Sequence, residues 1–439
     1  MISPQSEVTY WGAVGGSDST TAFQQCADWC GTNGETFRIP DSPLPYRLAA
    51  PIQFRTMRQL QPVDSTPPSD IHFSDLLPCN IFGEGNARVV ATAAMSTVFE
   101  MIFNSSLGNL APFYSHIENV QIDGAGLATT CLKSNWAMHL DFERCRLVNA
   151  QRGFEVFGYG GFRAHHNVIR CANAFYMSGP SNGGGDSILS HNDIYVSQNN
   201  GTGFYMGFYS GDTTIRDNVI TGEGVLTGTA AVRLVGSTAP ANEHFRHIRI
   251  LENEFYGLNT GVDARGKSSA QKNIFNCRIA GNHTAPGDMN PGQLVYASDC
   301  QELLIESNFI NGRNFADATD VGIQLVRCED SVVRGNVAAN LKSAAVGMTD
   351  CTDCEVFDNK VRDFGKLGTG YVAIDVWGSA SRRNHIRRNT IRQTSASYGQ
   401  YGIAEHTGCD YTYMIDNSIY GCSNPLTKVG ANSVATAGV

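Results

Sequence analysis

Three acidic residues of this chain combine a carboxylate with a setting suited to acid–base chemistry. Asp263 lies in the alternating segment "GVDAR", whereas Glu223 and Asp288 lie in the Gly-rich segments "TGEGVLTG" and "APGDMNPG". Cleavage of a glycosidic bond requires two carboxyl groups, about 5 Å apart in retaining enzymes and about 6.5–9.5 Å apart in inverting enzymes. We therefore predict that Asp263 and either Glu223 or Asp288 form an acid–base pair, with Asp317 and Asp320 as further partners for Asp263.

Aromatic and charged side chains recur at the position of Asp263 in related segments along the chain. Each segment alternates with period two, as a half-buried strand does, so every second side chain should face outward. Aromatic faces can stack on sugar rings, and charged groups can bind hydroxyls or carboxylates. The predicted substrate-binding residues are Tyr176, Tyr205, Arg233, Arg265, Tyr296 and Trp377. The same outward columns also contain Glu155, Phe157, Gln324, Gly347, Asp375, Ala404 and His406.

Two alternatives stay open for this outward surface. Protein–protein interfaces are also rich in aromatic residues and arginine, so the columns could pack against another copy of the chain. A substrate site could instead catalyse β-elimination of a uronate polymer, which needs a neutralised carboxylate and a base. The candidates for those roles are Arg233, Arg265, Tyr205 and Tyr296. Calcium-dependent elimination needs clustered carboxylates. The outward segments contain no such cluster, so we expect no metal ion and no cofactor.

The chain repeats one phrase, apolar-x-x-Asn-x-apolar, ten times. In "IRDNVI", for example, Ile215 precedes Asn218 by three residues and Ile220 follows it by two. Successive asparagines are 23 to 35 residues apart, so the insertions between them vary in length. The repeated asparagines are Asn167, Asn192, Asn218, Asn253, Asn282, Asn308, Asn336, Asn359, Asn389 and Asn417.

Each repeat predicts three short strands, two around the asparagine and a third after a variable loop. Such a repeat forms one coil of a right-handed parallel β-helix, because only stacking of coils at about 4.8 Å buries the apolar side chains. We predict an all-β fold, a single-stranded right-handed parallel β-helix of about 12–13 coils with an N-terminal capping helix. Asparagine tolerates the left-handed conformation of a tight turn, and its amide can bond the amide of the next coil.

Two further columns could suggest metal or redox chemistry. Two histidines and two acids stand one residue before successive asparagines, and such a set can bind a metal ion. These residues are His166, His191, Asp217 and Glu252. The column continues with Gly281, Ser307, Gly335, Asp358 and Arg388, so a mixed polar edge of the turn is the preferred interpretation. Eight residues before the later asparagines stand Cys300, Cys328, Cys351, Ser381 and Cys409, which predict a buried stack of small side chains.

The two ends of the chain differ from the repeats. "GSDSTTAFQQCADWCG" predicts an amphipathic helix, capped by Asp18 or Ser19, that covers the open end of the solenoid. We predict an N-terminal strand, this helix and the first strands in residues 1–50 and a proline-rich loop in 51–80. Residues 81–425 would form the β-helix and 426–439 a C-terminal tail.

Composition excludes several classes of protein. The net charge is −9 and the 32 Lys and Arg residues form no run, so we expect no nucleic-acid partner. The sequence contains neither a signal-peptide pattern nor an apolar run long enough to span a membrane. Thirteen cysteines, an odd number scattered along the chain, favour reduced thiols over disulfides.

The opening of the chain resembles a known group of proteins. "VTYWGAVGGSDSTTAFQQCADWC" followed by "FRIPDSPLPYRLAAPI" is similar to the start of the pectate-lyase-like superfamily found in bacteriophage tailspikes and polysaccharide-degrading enzymes. The turn "GAVGGSDSTT" lacks the paired aspartates usual in that group. Together with the aromatic and acidic residues of the outward columns, the resemblance favours an enzyme that degrades an extended glycan, such as a bacterial surface polysaccharide. It also implies a homotrimer in a virion or an extracellular setting. Hydrolase, lyase and non-catalytic binder all occur in the group, and the fold does not decide between them.

Overall fold

The computed structural model describes residues 3–54, 78–101, 114–134, 137–178, 185–207, 211–224, 226–236, 245–268, 270–285, 293–312 and 321–437. The chain forms two compact units. Unit 1 comprises Met1–Ser197 with Gly203–Tyr205, and unit 2 comprises Gln198–Thr202 with Met206–Val439. Each unit is built almost wholly of short strands that pair in parallel with strands about one repeat away in sequence. This is the predicted all-β parallel β-helix.

In unit 1, a coil contributes one strand to each of three sheets. The first sheet contains Phe37–Ile39, Ile81–Gly83, His116–Glu118, Asp141–Glu143, Arg163–His165 and Ser187–Ser190. The second contains Tyr46–Leu48, Arg88–Ala91, Gln121–Asp123, Arg146–Val148, Val168–Cys171 and Asp193–Val196. The third contains Ile52–Phe54, Met95–Met101, Ala128–Ser134, Arg152–Phe157, Asn173–Ser178 and the middle of Thr202–Gly207. Ala137–Met138 and Tyr159–Gly160 form an additional pair.

Unit 2 repeats the arrangement. Its first sheet contains Thr213–Arg216, Arg249–Leu251, Arg278–Ala280, Leu304–Glu306, Val332–Arg334, Glu355–Phe357, His385–Arg387, Tyr413–Tyr420 and Val434–Ala437. Its second contains Val219–Gly222, Glu254–Tyr256, His283–Ala285, Phe309–Asn311, Val337–Ala339, Lys360–Arg362, Thr390–Arg392 and the end of Tyr413–Tyr420. Its third contains Ala230–Val235, Thr260–Arg265, Gln293–Ser298, Ile323–Val326, Val346–Thr349, Val372–Trp377, Tyr401–Glu405 and Asn424–Thr427. Phe245–Arg246, Ile274–Phe275 and Cys300–Gln301 form a short fourth sheet.

An α-helix, Thr20–Asn33, packs on the first coils of unit 1, as predicted. Phe23 lies 5.7 Å from Phe37 and 5.4 Å from Tyr46, ring centroid to centroid, so the helix closes the apolar interior. Of the two predicted caps, the Asp18 side chain accepts the N–H of Thr20 at 3.0 Å, and Ser19 makes no side-chain cap bond. The segment before the helix forms two short 3₁₀ turns, Pro4–Ser6 and Val8–Trp11, rather than a strand.

The repeated asparagines form the predicted ladder within each unit. In unit 1, Asn167 Nδ2 donates to Asn192 Oδ1 at 2.9 Å. In unit 2, an unbroken series of such bonds, 2.9–3.1 Å long, joins Asn218, Asn253, Asn282, Asn308, Asn336, Asn359, Asn389 and Asn417. Each of these asparagines is at most 2% exposed. The ladder therefore provides the hydrogen bonds that water would make to these amides if they were exposed.

One detail of the predicted turn is wrong. The residue with a left-handed backbone is the one before each asparagine, for example Asp217 with φ of 54°, and not the asparagine itself. The amide has to point into the coil to bond its neighbours, so the preceding residue makes the bend and directs its side chain outward. His166, His191, Asp217 and Glu252 all occupy this left-handed position. They therefore form the edge of the turn, in line with the preferred interpretation.

The cysteine column is buried as predicted. Cys300, Cys328, Cys351 and Cys409 are each at most 3% exposed, and all thirteen cysteines are free thiols. Cys300 Sγ and Cys328 Sγ donate to backbone carbonyls of the preceding coil, so these thiols serve as small core side chains. Most of the predicted proline-rich loop lies outside the described residues. At the C-terminus, Asn424–Thr427 and Val434–Ala437 continue the pairing of unit 2 beyond the last asparagine.

Candidate functional site

The outward column predicted on the third sheet exists within each unit. In unit 1, Glu155 pairs in register with Tyr176, which stacks on Tyr205. In unit 2, the register joins Arg233, Asp263, Tyr296, Gln324, Gly347, Asp375 and Ala404 on successive strands. The residues that alternate with them, such as Val262 and Ala264, are buried in the coil. The strand period therefore places the column on the outer face.

Asp263 is held between two arginines. Its Oδ2 accepts Arg233 Nε at 3.1 Å and its Oδ1 accepts Arg265 Nε at 2.8 Å. The Asp263 side chain is 5% exposed, whereas that of Arg265 is 59% exposed. Both carboxylate oxygens of Asp263 are thus engaged by guanidinium groups, an arrangement that fixes the positions of the two arginines.

Of the predicted acid–base partners of Asp263, the structure describes only Glu223. Glu223 follows the second-sheet strand Val219–Gly222 and is half-buried. Asp288 lies outside the described residues, as do Asp317 and Asp320. The pairing of Asp263 with Glu223 or Asp288 therefore stays a prediction.

The two tyrosines of unit 1 stack on each other. The rings of Tyr176 and Tyr205 are 4.5 Å apart and nearly parallel, and the guanidinium of Arg152 lies 3.9 Å from the centre of the Tyr176 ring. Neighbouring strands are spaced at stacking distance, so rings in register turn their faces to each other. The expectation that the Tyr176 face is open to a sugar is thus not supported, and its outer edge is what faces solvent.

Unit 2 carries a compact cluster of Asp375, Trp377 and His406. Asp375 Oδ1 lies 2.7 Å from His406 Nε2, and Asp375 Oδ2 accepts Trp377 Nε1–H at 2.5 Å. The Trp377 and His406 rings stack with centroids 3.4 Å apart. Burial raises the pKa of the Asp375 carboxyl above its ordinary value, although the hydrogen bonds from Trp377 and His406 act in the opposite direction.

One face of Trp377 is available to a ligand. The side of the ring towards the following coil is covered by His406. On the other side its partner in register is Thr349, a small residue, and Trp377 is 48% exposed. An exposed indole face beside a partly buried carboxyl is the arrangement that the sequence predicted around the tyrosines.

Asp350 adds a second carboxylate to this region. It follows the strand Val346–Thr349, and its Oδ1 accepts the N–H of Ala380 at 3.1 Å. The opposing residue is Gly378, with φ of 89°, where a Cβ would come within 2.2 Å of Asp350 Oδ1. The glycine thus leaves the space that the carboxylate occupies.

Sequence reasoning placed Asp375 and Trp377 on the outward surface but did not join them to His406. The signal was present, because Asp375 and Trp377 are two residues apart in "AIDVW" and His406 follows "GIAE" one coil later. Only an exact strand register converts that spacing into a contact.

Unit 1 has an arginine-lined depression of about 180 Å³ on its second sheet. Arg88, Arg146 and Arg170 line it together with Gln121 and Asp123. Gln121 pairs in register with both Arg88 and Arg146, so those two arginines stand two coils apart in one column. Neither of them forms an ion pair within the part of the chain that the structure describes.

Comparison with known proteins supports the fold. The family described as "Right handed beta helix region" matches residues 227–391. One similar structure is a double mutant of the tailspike protein of E. coli bacteriophage HK620, with 11% identity and a TM-score of 0.58. The alignment covers 98% of this chain and 80% of the tailspike chain. A mutant of that tailspike in complex with a pentasaccharide aligns with 97% and 80%, at 12% identity and a TM-score of 0.56.

A third similar structure is the pre-mature bacteriophage phi29 gene product 12, with 14% identity and a TM-score of 0.53. The alignment covers 95% of this chain and 53% of the phi29 protein. Among curated proteins no relative matches. These findings establish a right-handed parallel β-helix fold, as the resemblance implied. None of the described helices has the length and hydrophobicity to cross a membrane.

Proposed function

We propose that this right-handed parallel β-helix protein binds an extended polysaccharide on its third sheet and cleaves it as an endo-acting glycoside hydrolase. The observation that carries the proposal is the cluster of Asp375, Trp377 and His406 in unit 2. It combines a carboxyl group of raised pKa with an exposed aromatic face. The likeness to a tailspike in complex with a pentasaccharide supports the class of substrate.

Asp375 is the proposed general acid. Its raised pKa keeps a proton available at higher pH than an ordinary aspartate can, which is what protonation of a leaving-group oxygen requires. His406 positions the carboxyl through its 2.7 Å hydrogen bond, and Trp377 provides the face on which a pyranose stacks.

Asp350 is the proposed base. Asp375 is in register with Gly347, three residues before Asp350. A rise of about 3.3 Å per residue and a strand spacing of about 4.8 Å place the two Cα atoms at most roughly 11 Å apart, because the strand ends at Thr349 and the backbone of Asp350 is left-handed. That separation lets the two carboxyl groups reach the range of about 6.5–9.5 Å used by inverting enzymes, with room for a water molecule between them.

Asp263, with Glu223 or Asp288, is the second candidate pair. Arg233 and Arg265, the two arginine partners of Asp263, and Tyr296 are proposed to donate hydrogen bonds to sugar hydroxyls. The guanidinium of Arg265 lies 5.3 Å from the centre of the Tyr296 ring, so these side chains form one continuous surface.

The test is product release from a panel of bacterial surface and plant polysaccharides by the full chain and four variants. Asp375→Asn and Asp350→Asn should each lower the cleavage rate at least about 100-fold, the usual contribution of a general acid or base. The control, Asp358→Asn, removes a carboxylate that pairs with Arg388 at a turn and should leave the rate unchanged. If Asp263→Asn lowers the cleavage rate strongly and Asp375→Asn does not, the catalytic acid and base are the second pair and not Asp375 and Asp350.

Product analysis separates the remaining alternatives. An inverting hydrolase gives inverted anomeric configuration in the first products seen by NMR. A lyase gives a conjugated double bond that absorbs in the ultraviolet. The substrate of a lyase would be an acidic polymer, and the arginine-lined depression of unit 1 suits the binding of carboxylates. Saturable binding without any product would indicate a non-catalytic glycan-binding spike.

A homotrimeric state and a virion or extracellular setting are also part of the proposal. They rest on the likeness to tailspikes.

A further inference from the structure

A cluster of metal-ligating side chains lies on the first sheet of unit 1, separate from the third-sheet residues proposed to bind polysaccharide. It consists of His116, Glu118 and Glu143, whose potential ligand atoms all lie within 4.8 Å of one another. His116 and Glu118 belong to the strand His116–Glu118, and Glu143 ends the strand of the next coil. The cluster therefore rests on rigid strands and not on a loop.

The distances suit a small divalent ion. His116 Nε2 is 3.0 Å from Glu143 Oε1 and 4.0 Å from Glu118 Oε2. Ligand bonds of about 2.0–2.2 Å in a tetrahedral arrangement separate neighbouring ligand atoms by roughly 3.3–3.6 Å. Changes of less than about 1 Å in these two distances would bring His116 and each carboxylate oxygen to such a geometry, and the two carboxylate oxygens already lie within 4.8 Å of each other.

The strand register places two acids side by side. Glu118 pairs with Glu143, and Glu143 pairs with His165 on the following strand. Like charges directly adjacent in a sheet destabilise it unless a cation compensates them. Arg144 provides part of this compensation through its Nη1 at 2.7 Å from Glu118 Oε1.

Arg144 and His116 contact different oxygens of the carboxylates. Arg144 binds Oε1 of Glu118 and approaches Oε2 of Glu143, whereas His116 faces Oε2 of Glu118 and Oε1 of Glu143. An ion at His116 can thus share the carboxylates with Arg144 and need not displace it. His165 Nδ1 lies 3.6 Å from Glu143 Oε2, where it can orient that carboxylate.

We propose that His116, Glu118 and Glu143 bind a divalent transition-metal ion of the Zn²⁺ class, with His165 as a positioning residue. One imidazole nitrogen and two carboxylate oxygens form a ligand set that suits such ions. Three protein ligands leave a fourth position for water, and His116 is half-exposed, so an ion can enter from solvent. The proposal is independent of the polysaccharide-cleaving site in unit 2.

Calorimetric titration of the chelator-treated full chain with ZnCl₂ and with CoCl₂ tests the proposal. We expect one ion per chain, and at least about tenfold weaker binding in His116→Ala and in Glu143→Gln. The matched control is His247→Ala: His247 lies 3.0 Å from Asp212, a histidine–carboxylate pair outside any group of three ligands in the described chain.

Three outcomes would overturn the assignment. They are no binding, binding that survives both His116→Ala and Glu143→Gln, and thiolate charge-transfer bands of bound Co²⁺, which would place the ion on cysteines. The variants should first show the circular dichroism of the parent chain, so that a loss of binding is not a loss of fold. His165→Ala separates positioning from ligation, since it should weaken binding by about tenfold without changing the Co²⁺ spectrum.

Discussion

Replacing Asn308 by alanine should destabilise unit 2 by an amount that follows from four hydrogen bonds. Asn308 Oδ1 accepts the backbone N–H of Asn282 at 2.9 Å and Asn282 Nδ2 at 3.1 Å. Asn308 Nδ2 donates to Ile279 O at 3.0 Å and to Asn336 Oδ1 at 2.9 Å. Asn308 is 1% exposed, so no bulk water is at hand to replace these partners.

The four bonds do not cost the same when they are lost. Asn282 Nδ2 keeps its bond to Ile250 O, and Asn336 Oδ1 keeps its bond from the Asn308 backbone N–H. The backbone N–H of Asn282 loses the acceptor it has in the ladder, and an unsatisfied buried donor costs about 1–3 kcal/mol. The remaining losses contribute about 0.5–1.5 kcal/mol each. The expected destabilisation is therefore about 2.5–7.5 kcal/mol.

Guanidinium unfolding followed by circular dichroism measures the effect as a shift of the midpoint at unchanged slope. If refolding is incomplete, unfolding rates at one denaturant concentration replace the midpoint. Asn311→Ala is the control, because within the described residues the half-buried Asn311 side chain accepts one bond, from Asn340 Nδ2 at 3.1 Å. Its loss should cost about 0.5–1.5 kcal/mol. Equal effects of the two substitutions would refute the ladder as a major source of stability.

The sequence predicted the repeat well because two independent patterns mark it. The apolar residues around each asparagine fix which side chains enter the coil, and the asparagine fixes the position of the turn. Ile305 and Ile310, on either side of Asn308, are both fully buried as this pattern requires. A one-residue error in register would have reversed the face of every side chain, so agreement over successive coils is a strict test.

The sequence could not predict how neighbouring outward side chains satisfy each other. Asp263 occupies the expected column, yet ion pairs with Arg233 and Arg265 engage both of its carboxylate oxygens. Likewise, the faces of Tyr176 and Tyr205 meet because the strand spacing is a stacking distance. Residue types and alternation define the column, whereas rotamers and charge pairing decide which of its members stay available to a ligand.

Two further substitutions test features that the structure alone shows. Burial opposes ionisation of Glu306, but the hydrogen bonds from Arg334 and Arg278 outweigh it and lower the pKa of this carboxyl below its ordinary 4.5. The resulting stability is complete above pH 4.5 and is lost as the pH falls through the lowered value, so Glu306→Gln should flatten the melting-temperature profile in that acid range. Glu405, which is 1% exposed, accepts hydrogen bonds from two backbone N–H groups and a hydroxyl in residues 429–433. In Glu405→Ala those N–H groups should exchange with deuterium much faster while the preceding coils keep their protection, and unchanged exchange would show that the C-terminal strand is held by its backbone pairing alone.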